Sequence, residues 1–267
     1  EKKGSAARRA LEILLENIEM AREHSRPMCQ DTGTNTWWIA RPVHLSEREV
    51  VRAVHAATRQ ATKLGYLRPN SVDSITGRNS GDNIGLEHPV IHMHETRGRS
   101  LVADLILKGG GCENVSGQLA LPDASIGAGR DLEGVRRAVL KLVHAAQGKG
   151  CAPGALGVCI GGDRVTGFDV AKRQLLRVLT DENPEPVLAR LERRILKDAN
   201  RLEIGPMGFG GKTTVIGVKV ARAHRLPACF FVTVAYSCWS LRRAHARISA
   251  GRATFPDSSF AIQGGRS

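Results

Sequence analysis

Residues 205–214 read GPMGFGGKTT, and this glycine-rich stretch separates two segments of opposite character. Before it, PVLARLERRILKDANRL (186–202) has the spacing of an amphipathic helix; after it, TTVIGVKVA (213–221) has the composition of a strand. A phosphate-binding loop needs G-x-x-x-x-G-K-[ST], with a strand leading into the loop and a helix leaving it. The tripeptide GKT (211–213) matches the end of that pattern, but Pro206 stands where the first glycine belongs. The stretch therefore predicts a tight turn between a helix and a strand, and argues against a nucleotide-binding fold.

Hydrophobic periodicity predicts helices and strands in mixed order along the rest of the chain. Apolar residues at helical spacing predict helices over residues 5–24, 45–65, 131–150, 169–179 and 186–202. Apolar and β-branched runs predict strands over residues 37–43, 89–96, 100–111, 151–164, 213–221 and 228–238. This order predicts an α+β fold of mixed sheets flanked by helices, arranged as two sub-lobes. We assign residues 1–250 to the domain and residues 251–267 to an irregular C-terminal tail.

Two local signals refine this prediction. Ser46 stands before the second helix with Glu49 three residues later, which is the pattern of a capping box. Gly98 lies between the strands predicted at 89–96 and 100–111, and this spacing predicts a hairpin between them.

The 267-residue chain has a net charge of +13, but its basic residues are spread along helical segments rather than gathered in a tail. Aromatic residues make up only 4%, whereas proteins that bind single-stranded nucleic acids interleave basic and aromatic side chains. We therefore expect solvated helix faces and no nucleic-acid role, with part of the charge attracting an anionic substrate or an acidic partner. No apolar run has the length of a membrane span and no signal peptide is apparent, so we expect a cytoplasmic protein without disulfides.

Glycine-rich polar loops recur along the chain, and long loops of this kind often carry functional groups. Six segments occur in this order: CQDTGT (29–34), NSGDNIGLEHPVIHMHE (79–95), KGGGCENVS (108–116), CAPGALGVCIGG (151–162), IGPMGFGG (204–211) and VAYSCWSLRRA (234–244). Together they resemble the class I, iron–sulfur fumarate hydratase and L(+)-tartrate dehydratase family, specifically its α subunit or N-terminal domain. The resemblance runs from about residue 10 to residue 247, and residues 1–250 are accordingly expected to form this iron–sulfur domain.

The resemblance implies a hydro-lyase whose [4Fe–4S] cluster is held by Cys29, Cys151 and Cys238. Thiolates are the usual protein ligands of such clusters, and three of them leave one iron open for Lewis-acid chemistry. The implied substrate is a C4 dicarboxylate, with fumarate and malate favoured and L(+)-tartrate as the alternative. The resemblance also implies a β subunit that completes the site, within a larger oligomer built on an α–α dimer.

The same resemblance suggests catalytic roles for three residues. Gln30 and Asp31 adjoin the first cluster ligand, and a carboxylate there is suited to proton transfer. His224 is similar to the family's histidine ahead of the third cysteine, although its spacing to Cys238 is slightly longer than in the family.

Three more residues are expected to bind substrate. Arg68 matches a substrate-binding arginine of the family, and a planar guanidinium can bind a carboxylate through two parallel hydrogen bonds. Gly110 and Gly111 would offer backbone N–H groups to a substrate carboxylate.

Several residues have more ordinary interpretations. Cys159 and Cys229 lie in apolar strands and are expected to be packing residues, whereas Cys112 stands where the family commonly has serine. His92 and His94 alternate on a predicted strand, where a structural role is favoured over a metal pair. A cluster-free, non-enzymatic binding subunit is the alternative from another functional class.

Overall fold

A computed structural model describes residues 1–256, which contain α-helices, short 3-10 helices and strands in mixed order. The α-helices are Ala6–Glu23 (α1), Glu47–Lys63 (α2), Gly110–Asn114 (α3), Leu132–Ala146 (α4), Arg164–Gln174 (α5) and Pro186–Asn200 (α6). The strands are Thr34–Pro42 (β1), Val90–Thr96 (β2), Leu101–Lys108 (β3), Gly117–Ala120 (β4), Gly154–Ile160 (β5), Val215–Arg222 (β6), Phe231–Ser237 (β7), Arg242–Ser249 (β8) and Arg252–Thr254 (β9). Short 3-10 helices lie at Ala124–Ile126 and Pro206–Gly208. The predicted α+β fold of mixed sheets and helices is confirmed.

The described chain divides into two compact units, each with its own sheet. The first unit contains Glu1–Glu16 and Gly111–Trp239. The second contains Asn17–Gly110 and residues 240–256. Within the predicted tail, Arg252–Thr254 form β9, and residues 257–267 lie outside the described residues.

The first unit is built on a four-stranded sheet of order β4-β7-β5-β6, in which β5 and β6 are parallel and the other neighbours are antiparallel. Every residue of β5 is buried, because helices cover both faces of this central strand. Leu156 packs into the core with Val139 of α4 and Ile195 of α6. On the opposite face, a Cβ at Gly157 would collide with the carbonyl oxygen of Ala171, so glycine lets α5 lie close to the strand.

Helix α5 begins earlier than the sequence predicts. The sequence predicts a strand up to residue 164 and a helix from residue 169, but the strand ends at Ile160 and the helix starts at Arg164. The Asp163 carboxylate accepts the N–H groups of Val165 and Thr166, both at 2.8 Å, and so caps the first turn.

The second unit has a five-stranded sheet of order β2-β1-β3-β8-β9. The predicted hairpin around Gly98 is wrong, because β1 lies between β2 and β3 and pairs with both. Helix α2 packs Val50 and Val54 against Ile39 of β1 and Ala103 of β3.

The predicted capping box at the start of α2 is confirmed. The Ser46 hydroxyl accepts the N–H of Glu49 at 3.2 Å, and the Glu49 carboxylate accepts the N–H of Ser46 at 3.1 Å. Two of the four donors at this helix end are thereby satisfied by side chains.

Candidate active site

In the second unit, the Asp31 carboxylate joins two of the glycine-rich loops. Its Oδ1 accepts the N–H of Gly33 at 2.9 Å, and its Oδ2 accepts the N–H of Gly110 at 2.7 Å. Cys29 and Asp31 are half-buried, whereas Gln30 is exposed. Because both carboxylate oxygens are held by backbone donors, the side chain has a fixed orientation beside Cys29.

Gly33 allows this loop to lie against β3. Its φ of +84° falls in the left-handed region, and a Cβ there would lie 2.8 Å from backbone atoms of Leu107 and Lys108. Thr34 pairs with Lys108 in the sheet, so the Asp31 loop and the end of β3 meet at one edge. A glycine is required here both for its conformation and for the lack of space.

The segment that carries Arg68 is fixed to the same loop. The Thr32 hydroxyl accepts the Arg68 N–H at 3.0 Å and the Asn70 side-chain amide at 3.2 Å. The Asn83 side chain accepts the Asn70 N–H at 2.7 Å and donates to the Arg68 carbonyl at 2.9 Å. The Arg68 side chain is exposed while its backbone is held, an arrangement that presents a guanidinium beside Asp31's loop.

In the first unit, Cys151 and Cys238 lie on neighbouring loops. The Trp239 N–H donates to the Cys151 carbonyl at 3.4 Å, which places the two cysteine-bearing segments side by side. Cys151 has a φ of +52°, an uncommon conformation for a residue with a Cβ, and its N–H donates to the Gly148 carbonyl at 3.0 Å. Both thiols are half-buried.

The phenol of Tyr236 lies among three thiols of this unit. Burial raises the pKa of Tyr236 above its ordinary range, and the charges of Cys238, Cys112 and Cys151 raise it further. The Cys112 carbonyl accepts the Ser116 hydroxyl at 2.9 Å, and the Ser116 oxygen accepts the Tyr236 N–H at 3.0 Å. The buried Cys112 is therefore tied to the strand that ends before Cys238.

The donor set suits an iron–sulfur cluster in its chemistry. All six cysteines are thiols, and the three proposed ligands, Cys29, Cys151 and Cys238, are all half-buried rather than fully enclosed. Two of them share the first unit and the third belongs to the second. Within residues 1–256, no group of three or more His, Cys, Asp and Glu side chains is arranged to hold a metal ion. Only the chemical identity of the three thiols and their partial exposure match the usual ligands of such a cluster.

Comparison with known proteins supports the family resemblance of these loops. A family model described as fumarate hydratase (Fumerase) matches residues 1–247.

The chain belongs to the fumarate hydratase (Fumerase) family.

Among its relatives, a Geobacillus stearothermophilus protein provisionally named class I fumarate hydratase is 50% identical over 91% of this chain. A Methanocaldococcus jannaschii protein provisionally named L(+)-tartrate dehydratase subunit alpha is 32% identical over 91% of the chain. An Escherichia coli L(+)-tartrate dehydratase subunit alpha is 30% identical over 89%. The chain covers 48% of the Geobacillus protein, about half its length, but 85% and 77% of the other two. Within residues 1–256, no helix is long and apolar enough to cross a membrane.

Within the first unit of this Fumerase-family chain, His224 does not lie beside Cys238. It is exposed and follows β6 at the end of the sheet where Arg222 pairs with Ile160. Ser237, next to Cys238, pairs with Ala155 at the other end of β5. Its catalytic role is therefore the part of the predicted site with the least support from the geometry.

The two glycines expected to bind substrate also differ from each other. The Gly110 N–H already donates to the Asp31 carboxylate, so this donor orients the Asp31 side chain. Gly111 is exposed and belongs to the first unit. The interpretation of Cys159 as a packing residue agrees with its environment, because burial raises the pKa of its thiol to about 11. His92 stacks on Trp38, with ring centroids 5.4 Å apart, which supports its structural role.

The GPMGFGG turn supports the Cys151 loop rather than a phosphate. The Met207 N–H donates to the Ala152 carbonyl at 2.9 Å, and a Cβ at Gly148 would lie 2.6 Å from the Met207 carbonyl oxygen. The N–H groups of Lys212 and Thr213 donate to the Glu1 carboxylate at 3.1 and 2.8 Å.

Sequence reasoning missed two residues near the predicted site. Tyr236 lies in an apolar strand and has no signal of its own, although it is only two positions before Cys238. Arg242 begins β8 and pairs with Leu107 near the end of β3. Its Nε and Nη1 atoms are buried and have no hydrogen-bond partner within residues 1–256. Arg243 follows it directly, and the sequence does not indicate which of the two arginines has the buried nitrogens.

Proposed function

We propose that this chain is the iron–sulfur subunit of a hydro-lyase that adds water to, or removes it from, a C4 dicarboxylate. The observation that carries the proposal is the Asp31 carboxylate, which lies two residues after Cys29 and is held by two backbone donors. Family membership supports the reaction class, since relatives bear the names of a fumarate hydratase and of tartrate dehydratases.

Cys29, Cys151 and Cys238 hold a [4Fe–4S] cluster in this proposal. When bound, the cluster supplies a Lewis-acidic iron that polarises an oxygen of the substrate. The half-buried state of the three thiols is compatible with a cluster that a small substrate can approach.

The chain's own residues orient the substrate and move a proton. The exposed Arg68 guanidinium binds one carboxylate of the substrate, and the exposed Gln30 amide hydrogen-bonds to the substrate beside it. Asp31 takes part in proton transfer, since its oxygens are held at a fixed position. Gly111 offers its N–H to the second carboxylate, and Gly110 acts through Asp31. His224 is the remaining catalytic candidate from sequence.

The substrate is fumarate or malate in the leading proposal and L(+)-tartrate in the alternative. L(+)-tartrate has one hydroxyl group more than malate, and this group changes few of the contacts above. We also propose that a β subunit completes the site and that the assembly contains an α–α dimer. Relatives named as alpha subunits support a partner, and the chain covers about half of the Geobacillus relative.

Anaerobic reconstitution of the purified chain with iron and sulfide tests the cluster. We expect about four irons per chain and a broad visible absorption typical of a [4Fe–4S] centre. Cys29→Ser, Cys151→Ser and Cys238→Ser should each lose that absorption, whereas Cys159→Ser should keep it. Full iron content in any of the first three variants contradicts that ligand. No cluster in the wild-type chain favours the cluster-free binding subunit.

Activity is tested in the complex of this chain with its complementary subunit. Hydration of fumarate and dehydration of L(+)-tartrate are followed side by side, and the larger kcat/KM identifies the substrate. Asp31→Asn keeps the size of the side chain, and we expect it to lower kcat while iron content stays unchanged. An active Asp31→Asn enzyme would remove Asp31 from proton transfer.

A further inference from the structure

The loop that carries Cys151 is wrapped against a single aromatic ring. A Cβ at Gly150 would lie 2.5 Å from Cε1 and 2.9 Å from Cζ of Tyr236. A Cβ at Gly154 would lie 2.8 Å from Cε1 of the same ring, and closer still to Cζ and the hydroxyl oxygen. The two glycines flank Cys151 in sequence, so the ring occupies the space that their missing side chains leave on both sides of the cysteine.

Tyr236 is itself held firmly. It is 2% exposed, lies in β7 and pairs with Leu156 of the buried strand β5. Its N–H donates to the Ser116 hydroxyl at 3.0 Å. Since β7 ends one residue later and Cys238 follows, the same residue joins the Cys151 loop to the segment that carries Cys238.

We propose that Tyr236 is a positioning residue for the thiols of Cys151 and Cys238, acting through the packing of its ring. The link to an iron–sulfur cluster rests on the proposed function, but the packing of the loop does not. Cys151 adopts a positive φ of 52°, and a residue with a Cβ keeps such a conformation only where its surroundings enforce it. The ring of Tyr236 and the turn at Met207 both confine this loop.

The reciprocal fit of ring and glycines gives a sharp test in the cluster-free chain. Tyr236→Leu removes the outer ring atoms, and Gly154→Ala inserts a methyl group into them. We expect each change to raise the rate of Cys151 alkylation by iodoacetamide about tenfold at fixed pH, measured by peptide mass spectrometry. The double variant should approach the wild-type rate, because the methyl group then occupies the space left by the ring. Tyr236→Phe keeps the ring and should behave like wild type.

Two controls separate a local effect from general loosening. Cys229 is half-buried in the same unit, and its alkylation rate should stay constant in every variant. Gly167→Ala places a Cβ 2.5 Å from the Thr233 hydroxyl, a comparable conflict in the same unit, and should leave Cys151 at its wild-type rate. A wild-type Cys151 rate in both Tyr236→Leu and Gly154→Ala overturns the proposal, and so does an equal rise at Cys229.

Reconstitution of the same variants distinguishes this inference from the proposed function. If the cluster assembles, Tyr236→Leu should lose the cluster faster in air than wild type does. Tyr236→Phe, which keeps the ring, should lose it at the wild-type rate. If wild type assembles no cluster but the alkylation pattern is as expected, the positioning role stands and the hydro-lyase proposal fails.

Discussion

Replacing Gly33 by alanine should destabilise the second unit and disturb the Asp31 loop. At φ +84°, an alanine costs about 1–2 kcal/mol for its left-handed conformation. Its Cβ would also lie 2.8 Å from backbone atoms of Leu107 and Lys108, inside the 3.4 Å at which ordinary contact begins. Backbone atoms cannot rotate away as a side chain does, so a further penalty of about 1–3 kcal/mol follows. We expect a total loss of about 2–5 kcal/mol in the free energy of unfolding.

Gly65→Ala is the matched control for this measurement. Gly65 lies in the same unit with a φ of +77°, but a Cβ there has nothing within 4 Å. It carries the conformational cost without the steric one, so the difference between the variants isolates the contact with β3. Urea unfolding is followed by tryptophan fluorescence, since Trp37 and Trp38 lie in β1 shortly after Gly33. Equal loss of stability in Gly33→Ala and Gly65→Ala would refute the reasoning.

Three other perturbations test contacts away from that loop. Ser46→Ala removes the cap of α2 and should lower the free energy of unfolding by about 1 kcal/mol in urea titration; an unchanged midpoint contradicts this. Hydrogen bonds from Arg136 lower the pKa of Glu133 from 4.5 to about 2, so its stabilisation is complete above pH 4.5 and lost as the pH falls towards 2. Thermal melts should therefore show that Tm falls less for Glu133→Gln than for wild type as the pH is lowered over that range. Parallel plots of Tm against pH for the two proteins would contradict this. Arg242→Met removes two buried nitrogens that have no hydrogen-bond partner within residues 1–256, and it should raise stability by about 1–3 kcal/mol; a lower Tm would contradict this.

Local signals predicted the helices well because each can be recognised from its own residues. The capping box of Ser46 and Glu49 and the apolar stripe of Val50 and Val54 are both present in the structure. The start of α5 was missed because Asp163 follows two glycines, and a cap after a turn resembles the turn itself. Strand β8, RRAHARIS, was missed because it contains no run of apolar, β-branched or aromatic residues, and because it pairs with β3, a segment far away in sequence.

Pairing between strands was less predictable than the strands themselves. The hairpin expected at Gly98 was wrong because a short connection and a glycine do not specify which strand is the neighbour. The parallel pairing of β1 with β2 is a long-range contact, and it places β1 where the hairpin partner was expected. Register and neighbours depend on which faces are buried, and this is a property of the whole unit.

The candidate site shows the same limit. Cys29, Cys151 and Cys238 were proposed as ligands because their loops resemble those of a family. Tyr236 could not be proposed in this way, because its role depends on two glycines more than eighty residues earlier in the chain. A glycine-rich loop predicts that another part of the protein packs closely against it, but it does not predict which part. At Gly33 the neighbour is a strand, at Gly148 it is the carbonyl of Met207, and at Gly154 it is an aromatic ring. The stretch GPMGFGGKTT follows the same rule, because its glycines allow close backbone packing beside Cys151. Its sequence resembles part of a phosphate-binding loop, but the Lys212 N–H donates to the Glu1 carboxylate.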